Sequence, residues 1–191
     1  MIDFVVLKTK ISDSPLFFAV LTLVLLFDKT GISGFAVLFS FLHEIGHILA
    51  LLCVKTFPKE ADLSLFGIHI KLPENLSTVK KCFVLTAGFF VNFFLAILFY
   101  SIGKTVFSVI NLVIGIFTAF PIPSTDGGTV LKTIFEEVFP QKSEKLYGTI
   151  SKIFTFVFSL LLIAVFFFTK NYFILISVVY MIFCTIKKAA D

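Results

Sequence analysis

The chain of 191 residues lacks tryptophan and arginine, and it carries few charges of either sign. Charged residues make up 15% of the sequence, compared with about 25% in an average soluble domain. All 16 basic residues are therefore lysines, and they are scattered between apolar segments. Because they form no stripe on one face, we expect no nucleic-acid-binding surface.

Cysteine pairs and a signal-peptide cleavage site are also missing. The three cysteines, Cys53, Cys82 and Cys184, form no C-x-x-C pair. We therefore interpret them as small buried apolar residues, well ahead of disulfide-bonded or zinc-binding cysteines. No small-residue cleavage site follows the first apolar run, so this run is expected to remain as a membrane span.

Apolar residues are in excess, at 58% of the chain with a mean hydropathy of +1.06. A membrane-spanning helix needs about 20 residues, so this length has room for about six spans. The predicted fold class is an all-α polytopic membrane protein, with residues 1–191 forming a single integral membrane domain. The expected spans are about 11–27, 32–54, 82–103, 106–121, 147–168 and 172–186.

The segments between these spans carry their own patterns. Apolar and polar residues alternate around Gly67, which predicts a small surface β-hairpin at about 60–73. The prolines of Pro121–Pro123 end the fourth span early, and an amphipathic helix is expected at Thr129–Val138. With six spans, 13 lysines fall on one side and 3 on the other. The positive-inside rule then predicts a protein of the cell membrane with both termini in the cytoplasm.

A His-Glu-x-x-His motif lies inside the second apolar span, formed by His43, Glu44 and His47. On a helix, His43 and His47 are one turn apart and project from the same face, so both imidazoles can bind one metal ion beside Glu44. A chance motif of a surface helix is the alternative. It is the weaker one here, because ionisable groups in hydrocarbon are costly and are kept mostly for function.

A catalytic zinc site usually has three protein ligands and one open position for water. Asp126 is the candidate third ligand, because it follows the Pro121–Pro123 break and precedes two glycines that allow a tight turn. Glu44 is then expected to take a proton from the water and to pass it to the leaving amine. The alternative for Asp126 is an N-cap of the helix expected from Thr129.

These residues resemble the motifs of the site-2 protease family of intramembrane zinc metalloproteases. Besides the His-Glu-x-x-His helix, Thr118–Gly128 resembles the family's N-x-x-P-x-x-x-x-D-G motif and Ala87–Asn92 resembles its A-G-P-x-x-N element. The resemblance implies one zinc ion per chain held by His43, His47 and Asp126, catalysis by Glu44, and substrate contacts by Asn92 and Thr118. For Asn92, a hydrogen bond to a neighbouring helix is an equal alternative.

Two positions depart from the family pattern, with Thr118 in place of asparagine and Phe89 in place of proline. Neither departure removes a ligand or the base. The six-span arrangement and the surface hairpin most resemble the branch that includes the stage IV sporulation protein FB. No PDZ or CBS domain is expected in the chain.

The resemblance implies a zinc-dependent protease of the lipid bilayer. It would hydrolyse a peptide bond in or next to a transmembrane segment of a membrane-associated protein, such as a pro-sigma or anti-sigma factor, under the control of regulatory membrane proteins. A catalytically inactive relative acting as a scaffold or regulator is the alternative. A protease facing a soluble chamber would need a larger polar domain, and a transporter would need acids in the fifth and sixth spans, where none occur.

Overall fold

The computed structural model describes residues 2–6, 9–13, 22, 28, 30–56, 60–64, 67–73, 76–123, 125–170, 175, 178–179, 181–183 and 185. Their regular elements, in chain order, are β1 (Ile2–Val6), β2 (Thr9–Asp13), α1 (Ile32–Cys53), β3 (Glu60–Ser64), β4 (Gly67–Lys71), α2 (Thr78–Ser101), α3 (Thr105–Ala119), α4 (Asp126–Val138) and α5 (Ser143–Thr169). The chain divides into two compact units, Met1–Phe117 and Thr118–Asp191.

Three of the helices, α1, α2 and α5, are long and apolar enough to cross a membrane, and α3 is a shorter apolar helix. Their bounds follow the second to fifth expected spans to within about four residues. The first expected span differs, because Ile11–Asp13 belong to β2. Most of its remainder, and most of the sixth span, lie outside the described residues, so the count of six stays a prediction.

Helix α3 is too short to cross the hydrocarbon core without tilt or thinning. Its 15 residues extend about 22 Å, whereas the core is about 30 Å thick. It ends at Ala119 because Pro121 has no backbone N–H to continue the helix and restricts the residue before it. The backbone therefore leaves the helical path close to the Asp126 motif.

The four strands form one sheet in the order β1-β2-β3-β4. The pairs β1–β2 and β3–β4 are antiparallel, and β2–β3 is parallel. Strands β3 and β4 occupy the interval of the expected hairpin, and two N-terminal strands that the sequence pattern did not predict enlarge the sheet. Strand β4 lies at one edge of the sheet and contacts α1.

The core of the first unit lies between α1 and α2, near the sheet end of the helices. It consists of Ala50, Leu51, Leu76 and Val84, with Val54, Leu72 and Ala87 packed against it. Other large apolar side chains of α2 point away from the protein, and Ile97 is 71% exposed. Because lipid is as apolar as these side chains, close packing between the helices and not exclusion of water holds them together.

Aromatic rings join the three helices of the first unit at their other end. Phe107 of α3 lies 4.5 Å from Phe35 and 5.4 Å from Phe99, measured between ring centroids. Phe39 of α1 contacts Phe99 and Phe107 at 5.4 and 5.8 Å. Such offset and edge-to-face pairs add about 0.5–1.5 kcal/mol each to packing, so they help to fix the helix crossing.

The start of α1 is fixed by Asp28. Its carboxylate accepts hydrogen bonds from the Thr30 hydroxyl at 2.5 Å, from the Thr30 N–H at 2.8 Å and from the Ser33 N–H at 2.6 Å. These hydrogen bonds hold the pKa of the Asp28 carboxyl well below its ordinary value, and the bond from the Thr30 hydroxyl has the largest effect on the pKa. The ionised side chain thus satisfies a donor at the first turn of α1.

In the second unit, α4 packs on α5, and Phe120 lies 5.1 Å from Phe158 between ring centroids. Helix α5 buries a hydroxyl-bearing residue at every fourth position: Ser143, Tyr147, Ser151, Thr155 and Ser159. The Thr155 hydroxyl is hydrogen-bonded to that of Thr185 at 3.1 Å. Small and hydroxyl side chains at this spacing are typical of helix–helix contacts in membranes.

Candidate metal centre

Helix α1 carries both histidines of the motif on its protein-facing side. No proline interrupts its 22 residues, and the helical spacing places His43 and His47 one turn apart. Both side chains are buried, at 4% and 5% exposure. Their rings meet edge to face with centroids 4.9 Å apart.

Each imidazole is anchored through its Nδ1 atom by helix α2. His47 Nδ1 lies 2.8 Å from the backbone carbonyl of Val84, and His43 Nδ1 lies 2.6 Å from Oδ1 of Asn92. A carbonyl oxygen only accepts, so both Nδ1 atoms carry the ring proton and donate it. The Nε2 atoms are therefore the unprotonated ones, and they face each other at 3.2 Å.

This pair of Nε2 atoms fits a zinc ion. Two imidazole lone pairs at 3.2 Å repel each other unless a positive charge lies near both. Neutral imidazole nitrogen is a preferred zinc ligand, and a ligating histidine almost always donates its other N–H to a carbonyl or carboxylate. The Nδ1 bonds to Val84 and Asn92 supply this outer support.

Close approach of α1 and α2 depends on two glycines, Gly46 and Gly88. A Cβ atom at Gly46 would lie 2.8 Å from the Val91 side chain. A Cβ atom at Gly88 would lie 2.6 Å from His43 Nε2 and would overlap His47 Nε2 as well. Only glycine at 88 leaves room for both imidazoles against the backbone of α2.

Asp126, the expected third ligand, is the first residue of α4 in the second unit. The N-cap of this helix is Thr125, whose side chain accepts from the Gly128 N–H at 3.2 Å. The N-cap alternative for Asp126 is therefore wrong, and α4 starts three residues before the expected Thr129. Asp126 lies in the first helical turn, where the helix dipole favours a carboxylate.

The turn before α4 is as tight as the two glycines suggested. A Cβ atom at Gly127 would overlap the backbone of Ala119, and one at Gly128 would overlap the Ile122 carbonyl. The Thr125 hydroxyl, at 2.6 Å from the Phe120 carbonyl, closes the same turn. The residues after the proline break thus fold back on the end of α3.

The remaining predicted site residues lie on α1, α2 and α3. Glu44 follows His43 on α1 and is half-buried, and Thr118 is half-buried in the last turn of α3. Asn92 is fully buried and has both ends of its amide engaged, with Oδ1 on His43 and Nδ2 on Asn111. These contacts favour a role of Asn92 in hydrogen bonding between helices over its direct contact with a substrate.

The sequence did not predict that Gly88, the Val84 carbonyl and Asn111 contact residues of this centre. Gly88 was identified only as part of the segment that resembles A-G-P-x-x-N. The Val84 carbonyl has no signal in the sequence, because every residue has a backbone carbonyl. Asn111 lies inside an apolar span, which predicts a helix contact or an interface anchor and no chemistry, although an intramembrane amide is also a usable signal for a functional role. The interpretation of the cysteines as buried was wrong for Cys53, which is exposed on α1.

No family model and no curated protein sequence matches the chain. Among solved structures, the chain is similar to the site-2 protease from Methanocaldococcus jannaschii, with a TM-score of 0.69 and 17% sequence identity. The match covers 98% of this chain and 94% of that protein. Together with its three apolar helices, this likeness shows a membrane protein with the fold of a site-2 protease.

Proposed function

We propose that the protein is an intramembrane zinc metalloprotease. The observation that carries the proposal is the pair of buried imidazoles on α1, whose Nδ1 atoms are anchored and whose Nε2 atoms face each other at 3.2 Å. Ionisable side chains inside an apolar span are costly and are kept mostly for function. The site-2 protease fold over 98% of the chain supports the same activity.

The proposed ligand set is His43, His47 and Asp126, with one zinc ion per chain. Two imidazoles and a carboxylate are the donors that catalytic zinc commonly takes. Asp126 is supported by its position after the proline break and by the turn that Thr125 and the two glycines fix. When bound, zinc supplies a Lewis acid that lowers the pKa of water and polarises a carbonyl.

Glu44 is the proposed general base. It accepts a proton as water attacks the scissile carbonyl, and it returns the proton to the nitrogen of the leaving amine, so that the C–N bond breaks and a carboxylic acid forms. Its place next to His43 on α1 and its partial burial suit this role. Thr118 is the proposed substrate contact near the end of α3.

The substrate would be a membrane-associated protein cut in or beside its transmembrane segment. A helical segment must unwind to present a carbonyl, and an extended segment needs partners for its backbone. The edge strand β4 can supply them by strand addition. The proposal also includes a pro-sigma or anti-sigma factor as substrate, a regulatory membrane partner, both termini in the cytoplasm, and the branch of the stage IV sporulation protein FB.

The register of the sheet indicates which donors β4 offers. Ser64 pairs with Gly67 across a two-residue connection, which makes this closing pair hydrogen-bonded. Pairs alternate along an antiparallel ladder, so Ile68 and Ile70 stand in non-hydrogen-bonded pairs with β3. Their N–H groups therefore point to the outer edge, where an added strand would lie.

The first experiment compares cleavage of tagged single-span and pro-sigma-type substrates by wild-type protein and by Glu44→Gln, with zinc measured in both. We expect zinc in both proteins and cleavage by the wild type alone. Asp126→Ala should lose zinc, whereas Glu136→Gln, an exposed acid on the same helix, should keep it. Wild-type protein without zinc would refute the proposed site.

A second experiment tests strand addition. Ile68→Pro with Ile70→Pro removes two outward N–H groups, so we expect cleavage to fall while zinc is retained. Ile68→Ala with Ile70→Ala keeps both N–H groups and serves as the matched control. Unchanged cleavage by the proline variant would exclude a role of β4 in binding substrate.

The catalytically inactive relative is the second candidate, favoured by Thr118 and Phe89, which depart from the family pattern. It predicts zinc bound by the wild type and no cleavage of any substrate in the panel. If the protein is an inactive relative, Thr118→Asn should leave it inactive. If it is a protease whose activity Thr118 lowers, Thr118→Asn should increase cleavage.

A further inference from the structure

Two asparagines lie at full burial among the apolar helices of the first unit. Asn92 of α2 and Asn111 of α3 are both 0% exposed. An amide side chain inside a membrane protein is costly unless each polar atom is hydrogen-bonded. The bonds of these two amides form one continuous path that ends on His43.

The path begins at a backbone carbonyl. Asn111 Nδ2 donates to the Phe107 carbonyl at 2.9 Å, and Asn92 Nδ2 donates to Asn111 Oδ1 at 3.2 Å. Asn92 Nδ2 also lies 3.5 Å from the Phe39 carbonyl. Asn92 Oδ1 is the partner of His43 Nδ1 at 2.6 Å.

The direction of every bond on this path is determined by its first acceptor. The Phe107 carbonyl only accepts, so the Asn111 NH₂ group faces it and Oδ1 of Asn111 faces Asn92. Asn92 must then present its NH₂ group to Asn111 and its oxygen to His43. The His43 Nδ1 atom therefore carries the proton, and its Nε2 atom keeps the lone pair that a metal needs.

The two histidines differ in how this orientation is secured. His47 Nδ1 donates to the Val84 backbone carbonyl, which cannot turn to present a donor. His43 depends on a side-chain amide, which can turn by 180° and then present NH₂ to Nδ1. A turned Asn92 would favour the tautomer with the proton on Nε2, which cannot bind zinc through that atom.

We propose that Asn111 is a positioning residue of the metal centre, acting through Asn92 to hold His43 with its Nε2 lone pair directed to the ion. The inference rests on the proposed zinc site and adds to it a residue that touches neither metal nor substrate. A simpler role is that Asn92 and Asn111 only join α2 to α3. The two roles predict different results when Asn92 is replaced by an acid.

The test is a double-mutant cycle on the full-length protein in detergent, with zinc affinity measured by competition against a chromophoric chelator. Asn111→Leu removes the shorter of the two bonds that orient Asn92, at 3.2 Å, and leaves the longer one to the Phe39 carbonyl at 3.5 Å, so we expect zinc affinity to fall about 10- to 100-fold. Asn92→Asp presents an accepting oxygen to His43 in either orientation. In that background, Asn111→Leu should change zinc affinity by less than about twofold, because a loss acting through amide orientation has nothing left to act on.

Ser108→Ala is the matched control. The Ser108 hydroxyl donates to the Ala96 carbonyl at 2.7 Å, so it also joins α3 to α2 inside the membrane, without a bond to Asn92. We expect this variant to keep wild-type zinc affinity. Equal losses in Ser108→Ala and Asn111→Leu, or a loss from Asn111→Leu that persists beside Asn92→Asp, would overturn the positioning role.

A second readout does not depend on zinc. The chain has three histidines, so ¹⁵N ring spectra of the metal-free protein can be assigned by substitution. We expect an Nδ1 proton on His43 in the wild type and a substantial share of Nε2 proton in Asn111→Leu. Zinc binding and a ring spectrum unchanged by Asn111→Leu would overturn this inference alone, whereas a wild type that binds no zinc would overturn the proposed function.

Discussion

Replacing Gly88 with alanine adds one methyl group where both imidazoles of the candidate metal centre touch α2. The new Cβ atom would lie 2.6 Å from His43 Nε2, while ordinary contacts begin at 3.4 Å, so an imidazole must retreat by about 0.8 Å. The Nδ1 bonds to Val84 and Asn92 oppose this retreat. Because a zinc–nitrogen bond is about 2.0–2.1 Å long, a shift of this size breaks ligation.

The effect on stability can be separated from the effect on the metal by a matched glycine. Gly148 lies inside α5, and a Cβ atom there meets no atom of the described residues within 4 Å. Gly148→Ala should gain about 1 kcal/mol from helix propensity. Gly88→Ala gains the same and loses about 1–3 kcal/mol through overpacking, so the two variants should differ by about 1–3 kcal/mol.

The assay combines zinc affinity, by chelator competition, with thermal unfolding of the metal-free proteins in detergent. Gly88→Ala is expected to bind zinc at least on the order of 100-fold more weakly than wild type, above what outer partners of a ligand usually contribute. Gly148→Ala should bind as the wild type does. Wild-type zinc affinity in a folded Gly88→Ala protein would refute the packing of both imidazoles on this glycine.

Three further predictions concern a helix cap, pH and metal removal. Thr125→Ala should cost about 1 kcal/mol and weaken zinc binding, because the cap of α4 is lost, whereas Thr133→Ala on the same helix should do neither. The hydrogen bonds of Asp28, chiefly that from the Thr30 hydroxyl, lower its pKa in the folded state, so their stabilisation is present above the unfolded pKa of about 3.9 and is lost on acidification below it. Unfolding midpoints of wild type and Asp28→Asn should therefore converge as the pH falls below about 4, and a constant gap would contradict this. Free zinc at 100 times its dissociation constant should stabilise the wild type by about 2.7 kcal/mol and leave His47→Ala unaffected, as followed by thermal unfolding with and without chelator.

Apolar length and composition predicted most helices of the protein. Helices α1, α2 and α5 follow runs of apolar residues that no proline interrupts, and α3 ends where Pro121 forbids a further turn. These are local properties of the chain. The strands β1 and β2 were missed, in part because Ile11–Asp13 of β2 were assigned to the first apolar span, and because the pairing of β2 with β3 joins segments far apart in sequence.

The start of α4 shows a limit of a different kind. Thr125 and Asp126 are both good N-cap residues, and their order in the sequence does not tell which one caps. The turn after the prolines decides it, because the Thr125 hydroxyl is drawn to the Phe120 and Ile122 carbonyls and to the Gly128 N–H. Asp126 thereby begins the helix.

The spacing of His43 and His47 in an apolar run is enough to place them on one face of a helix, because 3.6 residues per turn brings them together whatever surrounds them. Which nitrogen of each ring bears the proton follows from the packing of the helices and not from the spacing of the motif. That depends on Val84, Asn92 and Asn111, whose contacts require α1 and α2 to approach closely at Gly46 and Gly88 and α3 to pack against α2. Acceptors 37 and 49 residues from the histidines they bind have no local pattern, because their effect exists only once the helices are packed.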